Sequence, residues 1–424
     1  MTFARSVVVS TAANVASPLS ILLASAMVAQ LFGPTGRGEV AAVNAVIVLA
    51  VAVASLGAPE ALTYFIARNG IAAKAPKLAP LAVTLIGGSV ITVATVGFSG
   101  VLSGHDPQLA LVIQAASLTI VPSMFLALLR SGAAGRELWG LIAFERYVAA
   151  GARIAGLAIP FALGILTVNL AAVILVAAPL LGAVCYLWLP RQAGEPSGVR
   201  FGAFTGFALR SWSGTLAGML AARLSQALLL PLSDAYQLGL FAVAVNLAEV
   251  LLISNQAFRD VVFASDSRSN DVALLARASR ISGSIALVTA IAIALTSPMI
   301  IPLLFGEEFV AAVPMTAALS LGLVLGIPGS VAGMGLGARG RPGLRSVSLV
   351  AGLATNLTVL LVLAPIIGAW GAIIASIATS AVTSNLNFFH LRRHFGLRAG
   401  QFLWPNLADL ALLVSIARRM MGKD

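Results

Sequence analysis

The feature that most constrains this chain is a recurrence: about twelve long, almost charge-free apolar runs separated by short polar turns. They fall at 7–32, 40–66, 81–104, 109–129, 148–167, 169–190, 203–231, 239–264, 281–304, 310–336, 346–367 and 369–390. A run of roughly 20 apolar residues, wound as a helix, matches the hydrocarbon thickness of a bilayer. In lipid the helix is one of only two forms that satisfy every backbone N–H and C=O internally. The spacing therefore predicts an all-α membrane protein with about twelve transmembrane helices. Charged residues make up only 10% of the chain and hydrophobic ones 59%. A soluble domain carries about 25% charge, so this chain could not cover its own surface in water. The first run begins after Arg5 and is too long for the core of a signal peptide, so it reads as a retained helix.

Orientation follows from the basic residues in the turns. Of the 26 Lys and Arg, 21 fall on one side, and the other side has Arg37 alone. The asymmetry predicts both termini in the cytoplasm and an even number of crossings. It also accounts for the net charge of +11, because the cations are spread over every inner turn instead of forming one patch. No nucleic-acid partner is expected; membrane lipids are.

The two halves resemble each other weakly. Gly38 and Gly239, Gly88 and Gly283, and Gly156 and Gly352 begin similar short segments, at offsets of 201, 195 and 196. Six runs per half is an even number, so the repeat is parallel. It predicts two six-helix bundles related by a pseudo-two-fold axis along the membrane normal, with any substrate site between them. The polar stretch 191–198 is the best linker in the chain and divides it into 1–195 and 196–395. The tail, 396–424, contains Phe402, Trp404, Leu407, Leu410, Leu413 and Ile416 interrupted by Asp409, which predicts an interfacial helix.

Catalytic and metal-binding constellations are nearly missing. The single cysteine, Cys185, excludes a disulfide framework within the chain and any paired-cysteine metal motif. His390 and His394 have helical spacing but no acidic or cysteine partner nearby. Gly335–Gly340 fits a dinucleotide-loop pattern literally, yet it closes an apolar run and precedes Pro342. No cofactor, metal or enzymatic activity is expected.

Ionisable residues inside such runs are costly and usually face a bundle interior or a wet cavity. Arg153, Arg210, Arg223, Glu60 and Glu249 lie within runs, with Arg259 and Asp260 near an inner end. Arg223 and Glu249 lie at similar depth on adjacent runs, roughly 12 and 15 Å from the outer ends by helical rise. Two readings of that pair stay open. One is a structural ion pair; the other is a cationic site whose carboxylate is displaced by substrate or gated by a proton. Gln226 shares the face of Arg223. Arg210 and Arg153 are near enough to the inner end either to snorkel to headgroups or to line a cavity. Glu60 either marks a pathway or pairs with Arg68. Asn14 and Pro18 predict a kinked, polar-lined first helix. The excess of buried arginine favours an anionic ligand, because the guanidinium fork matches phosphate.

Three stretches carry a resemblance. They are Leu31-Phe32-Gly33-Pro34-Thr35-Gly36-Arg37-Gly38-Glu39, then Leu56-Gly57-Ala58-Pro59-Glu60-Ala61-Leu62-Thr63-Tyr64-Phe65-Ile66-Ala67-Arg68, then Ala222-Arg223-Leu224-Ser225-Gln226 with Gly239 to Glu249. Phe305-Gly306-Glu307-Glu308-Phe309 fits as well. With this spacing the chain resembles the bacterial polysaccharide (O-antigen, Wzx-type) flippases of the multidrug/oligosaccharidyl-lipid/polysaccharide exporter superfamily. The resemblance implies translocation of a polyprenyl-diphosphate-linked oligosaccharide across the cytoplasmic membrane by alternating access, through a cationic cavity between two bundles. It also implies glycan polymerases or glycosyltransferases as partners. Family members often have an acid where this chain has Ser225, so an ion-coupling role at that position does not carry over. The alternatives weighed are a multidrug or cation antiporter of the same superfamily and a membrane-embedded glycan polymerase or glycosyltransferase.

Overall fold

The computed structural model describes residues 3–69, 78–188, 199–251, 272–339, 341–396 and 400–403. Arg259, Asp260, the 191–198 linker, the tail beyond 403 and the side chain of Asn14 lie outside the described residues. Among the described residues every regular element is helical.

Glycines at positive φ divide the first apolar stretch. Helix α1, Phe3–Ala54, has 52 residues and is broken at Gly33 (φ 64°, ψ −170°). At 1.5 Å per residue its path is roughly 78 Å, more than twice the hydrocarbon thickness of a bilayer. A second break follows at Leu56 (φ 44°) and Gly57 (φ 75°), before α2, Ala58–Asn69. Both breaks fall inside the motifs singled out from the sequence. The next elements are α3 (Leu78–Gly97), α4 (Ser99–Leu102), α5 (Pro107–Ser117) and α6 (Ile120–Ala134). Then come α7 (Trp139–Ala162), α8 (Val168–Ala177), a 3₁₀ segment (Ala178–Trp188) and α9 (Phe201–Leu232). Helix α10 is Ala235–Leu251. It is followed by α11 (Val272–Phe305), α12 (Ala312–Ala338), α13 (Pro342–Ile367), α14 (Ala369–Phe395) and α15 (Gly400–Leu403).

Eight helices are long and apolar enough to cross a membrane, or nine if α9, bent by 50° between Trp212 and Leu216, counts as one span. The difference from twelve has identifiable sources. The two arms of α1 form one continuous stretch, Ala16–Ala54. Helix α7 is 24 residues long, roughly 36 Å, but carries Glu145, Arg146 and Arg153. The described part of α10 has fewer than 18 residues.

The chain forms two compact units, Met1–Gly239 and Leu240–Asp424. Helix α9 is the element that this division and the 195/196 division assign differently. It packs on α1 and α2 through close contacts: Gly57 lies against the Ala208 carbonyl, where a Cβ would clash. The Trp212 indole donates to the Ala52 carbonyl at 3.0 Å, supplying a partner at the end of α1. Around this joint Tyr64 stacks on Phe207 (4.2 Å between centroids), and Ala58, Ala61, Phe204 and Ala208 are buried.

In the second unit, one face of α12 is glycine. Gly322, Gly326, Gly329 and Gly333 lie against Ile377, Ser380, Ser384 and Asn387 of α14. Small residues let helices approach closely where lipid offers no hydrophobic drive to association. Ser384 and Asn387 then donate to the Gly326 and Gly329 carbonyls, at 3.3 and 3.0 Å. Phe402 on α15 is 1% exposed, packed among Leu275, Val331 and Leu391, and its carbonyl accepts from Ser279 at 3.0 Å. Phe402 is therefore buried in this unit. The reason is that the bundle offers an apolar slot beside Phe388, 5.7 Å away.

Candidate functional site

The first arm of α1 is where a half-buried and a buried cation, Arg153 and Arg37, both dock. Arg153 on α7 donates from Nη1 to Ser20 Oγ at 2.7 Å, and Ser20 in turn donates to the Ser17 carbonyl at 2.8 Å. The serine hydrogen is thereby committed, leaving its oxygen to face the guanidinium. Arg153 therefore reaches inward to α1 rather than snorkelling to headgroups. Arg37 does the same from the other side of the Gly33 break: its Nε donates to Ser25 Oγ at 2.9 Å. Arg37 is 8% exposed, although the sequence placed it as the lone cation of the outer turns. Ser20 and Ser25 are themselves buried and lie roughly 7.5 Å apart along the helix by rise. Neither arginine meets a carboxylate among the described residues, unlike Arg130, which pairs with Glu145.

The break that delivers Arg37 depends on close backbone contact. A Cβ on Gly38 would strike the Ala235 carbonyl, and one on Gly239 would strike the Pro34 carbonyl. These are the two glycines that head the internal repeat. Arg37 was missed as a site residue because its position between Gly33 and Gly38 reads as a turn. The density of glycine around a single arginine was the available signal.

Arg223 on α9 is half-buried and donates to Gln226 Oε1 at 3.2 Å, so the same-face pair expected from the sequence is made. Gln226 is 5% exposed. Arg210 is exposed, and its Nε donates to the Gly206 carbonyl one turn back, at 2.8 Å. Arg153 and Arg210 thus have different environments. Glu249 is half-buried on α10, in the second unit.

Glu60 stands in the first turn of α2, three residues past Gly57, where the unpaired amides of a helix start favour negative charge. It does not pair with Arg68. Arg68 turns to Tyr64 instead, with Nη1 2.9 Å from the hydroxyl and the guanidinium over the ring. That geometry is available because residues four apart share a helix face. Glu60 Oε2 is buried with no hydrogen-bond partner among the described residues.

A further network was not foreseen from the residues alone. Glu145 on α7 is 1% exposed and takes two bonds from Arg130 on α6, Nε to Oε2 at 2.9 Å and Nη2 to Oε1 at 2.8 Å. The Tyr186 hydroxyl adds a longer one to Oε2, at 3.4 Å. The three side chains come from three different elements, so no local spacing could announce the network. Arg136, in the turn after α6, has Nε and Nη1 buried without partners, and burial lowers its pKa.

No protein-family model and no curated protein matches this sequence. Solved structures do match in fold. One is an inward-facing multidrug resistance MATE family transporter of the MOP superfamily, with TM-score 0.69 and 15% identity, covering 91% of this chain and 98% of that one. Another is the lipid II flippase MurJ in an inward closed conformation, with TM-score 0.73 and 12% identity, covering 91% and 87%. A MATE protein in the bent conformation matches with TM-score 0.62 and 17% identity over 93% and 94%. The chain therefore shares the helical fold of these multidrug transporters and this lipid II flippase. These neighbours are not enzymes.

Proposed function

We propose that this protein is a flippase that moves a lipid-linked anionic glycan precursor, a polyprenyl-diphosphate-linked oligosaccharide, across the bacterial cytoplasmic membrane. The observation that carries the reading is the pair Arg37 and Arg153. Both point at serines of α1, and neither has a carboxylate partner among the described residues. A buried guanidinium held by a neutral hydroxyl keeps most of its positive potential for an incoming anion. A guanidinium already neutralised by Glu or Asp would not.

In this reading the diphosphate is drawn to Arg153 and Arg37, with Arg223, Gln226, Arg210 and Asn14 along its route. The lipid tail stays in the bilayer. The chain crosses twelve times: the two arms of α1 are separate crossings, and α7, α9 and α10 each make one. Both termini are cytoplasmic. Six-helix bundles, 1–195 and 196–395 in the repeat, exchange access by rocking, with Arg223–Glu249 as a gating pair. Glycan polymerases and glycosyltransferases supply and consume the substrate.

The test is deletion of the gene followed by mass spectrometry of polyprenyl-linked intermediates. Accumulation of an undelivered precursor, relieved by the wild-type gene but not by Arg153→Ala, is the expected outcome. A normal lipid-linked pool in the deletion strain refutes the proposal.

A second reading, cation-coupled efflux of small organic cations, draws on Glu60, whose unpartnered buried oxygen can take a proton or a cation. Its test is drug export by Glu60→Gln in a sensitised strain. Loss of resistance with an unchanged lipid-linked pool favours that reading over the first.

A further inference from the structure

Helix α14 carries a polar stripe that transport does not use. Thr383, Asn387, His390 and His394 recur at spacings of four, three and four residues, so they fall within roughly 60° of one another around the helix. The stripe faces α12 and α13. Thr383 Oγ1 donates to the Ser348 carbonyl of α13 at 3.4 Å, and Asn387 Nδ2 donates to the Gly329 carbonyl of α12 at 3.0 Å. The site of a Cβ on Gly333 is bounded by Asn387 and by Cγ of Arg345, so the three helices meet there.

Two groups on this stripe are unsatisfied. Asn387 is 2% exposed, yet its Oδ1 has no hydrogen-bond partner among the described residues. One turn on, both ring nitrogens of His390 are buried and equally unpartnered. The neighbouring His394 ring stacks on His390 at 6.4 Å and offers it no hydrogen bond. An imidazole always carries at least one N–H, so His390 holds a donor without an acceptor and Asn387 an acceptor without a donor. Each such group is costly if it stays unpaired.

The surrounding charge is of one sign. Arg341 and Arg345 start α13, and Arg392 and Arg393 end α14. Between Val272 and Gly396 the acids are Glu307 and Glu308, in the turn at the far end of α11 and α12. Arg339 and Arg393 lie over Phe395 and Phe389. Arg345 is exposed beside Asn387.

We propose that this end of α12, α13 and α14 binds an anionic phosphodiester headgroup that also bears a hydroxyl, the headgroup chemistry of phosphatidylglycerol. The phosphate accepts from His390 and Arg345, and the hydroxyl donates to Asn387 Oδ1. Basic recesses between membrane helices are suited to such headgroups. A zwitterionic choline headgroup, with no hydroxyl and a compensating cation, satisfies neither Asn387 nor the excess of arginine.

The experiment uses the full-length protein in detergent, stripped of lipid and incubated with phosphatidylglycerol, phosphatidylcholine or soluble glycerol 1-phosphate. Adducts are counted by native mass spectrometry. A phosphatidylglycerol adduct is expected to exceed the phosphatidylcholine one about tenfold, the worth of one charge-assisted hydrogen bond. His390→Leu and Arg345→Gln should each remove most of that preference, while Arg68→Gln, in the other unit, should leave it intact. Asn387→Leu tests the hydroxyl; if it fails to fold, the other two variants still carry the test. Equal adducts for the two lipids, or an unchanged preference in His390→Leu and Arg345→Gln, overturn the proposal and leave water on the stripe. A glycerol phosphate adduct as strong as the lipid's overturns the lipid assignment in favour of a free phosphate ester.

Discussion

Replacing Arg130 by methionine while leaving Glu145 in place should cost about 3 kcal/mol. Glu145 is 1% exposed and receives two short bonds from Arg130. With the guanidinium gone, one donor remains, the Tyr186 hydroxyl at 3.4 Å. Breaking a buried ion pair from one side costs about 3–5 kcal/mol, because the surviving charge has lost both water and partner. The Arg130 side chain is 42% exposed, so part of the interaction is screened and the lower end of that range applies. Adding Glu145→Gln should recover about 1–2 kcal/mol, since a neutral amide is cheaper to leave buried. The assay is SDS titration of the purified protein in mild detergent, followed by tryptophan fluorescence, for the two single variants and the double one. Arg68→Met is the reference, an exposed cation resting on Tyr64 and expected within about 0.5 kcal/mol of wild type. If Arg130→Met is no worse than Arg68→Met, or if the double variant recovers nothing, the carboxylate is not held as described.

Three further outcomes follow from the geometry. Gly239→Ala should lower thermal stability by the equivalent of about 1–3 kcal/mol or prevent insertion, because its Cβ meets the Pro34 carbonyl; an unchanged melting temperature in detergent contradicts the close crossing. Arg37→Ala should cut export of the lipid-linked precursor about tenfold or more with normal insertion, and Arg37→Lys should restore only part of it, since Lys lacks the planar fork; full export by Arg37→Ala removes it from the route. Phe402→Ala should release the segment after α14, a fully buried Phe being worth about 3–5 kcal/mol. Limited proteolysis reads that release as faster cleavage near residue 403, and unchanged cleavage refutes the docking.

Much of the architecture was legible because lipid imposes a simple rule on sequence. Where the solvent is hydrocarbon, a helix must be long and apolar, and both properties are read along the chain without knowing any partner. The break at Gly33 was legible too, since Leu31–Glu39 separates the first two apolar runs, but the one at Leu56 and Gly57 was not, because 40–66 reads as one uninterrupted helix. What the residues at these breaks do was not legible either. Arg37 reads as a surface turn residue until the Gly33 break folds it onto Ser25. Glu60 and Arg68 share a helix at a plausible spacing, yet Tyr64 lies closer to Arg68 on that face.

The sequence alone determined that this chain is helical and suited to cross a membrane many times. These are properties of single segments meeting a uniform solvent. Only the tertiary structure decided which charges are neutralised and which stay available, as in Glu145 claimed by Arg130 while Arg153 rests on Ser20. The physical reason is that a charge in a low-dielectric interior is governed by neighbours a few ångströms away on other helices. Those neighbours are set by how the helices pack, through close approaches such as Gly57 on Ala208.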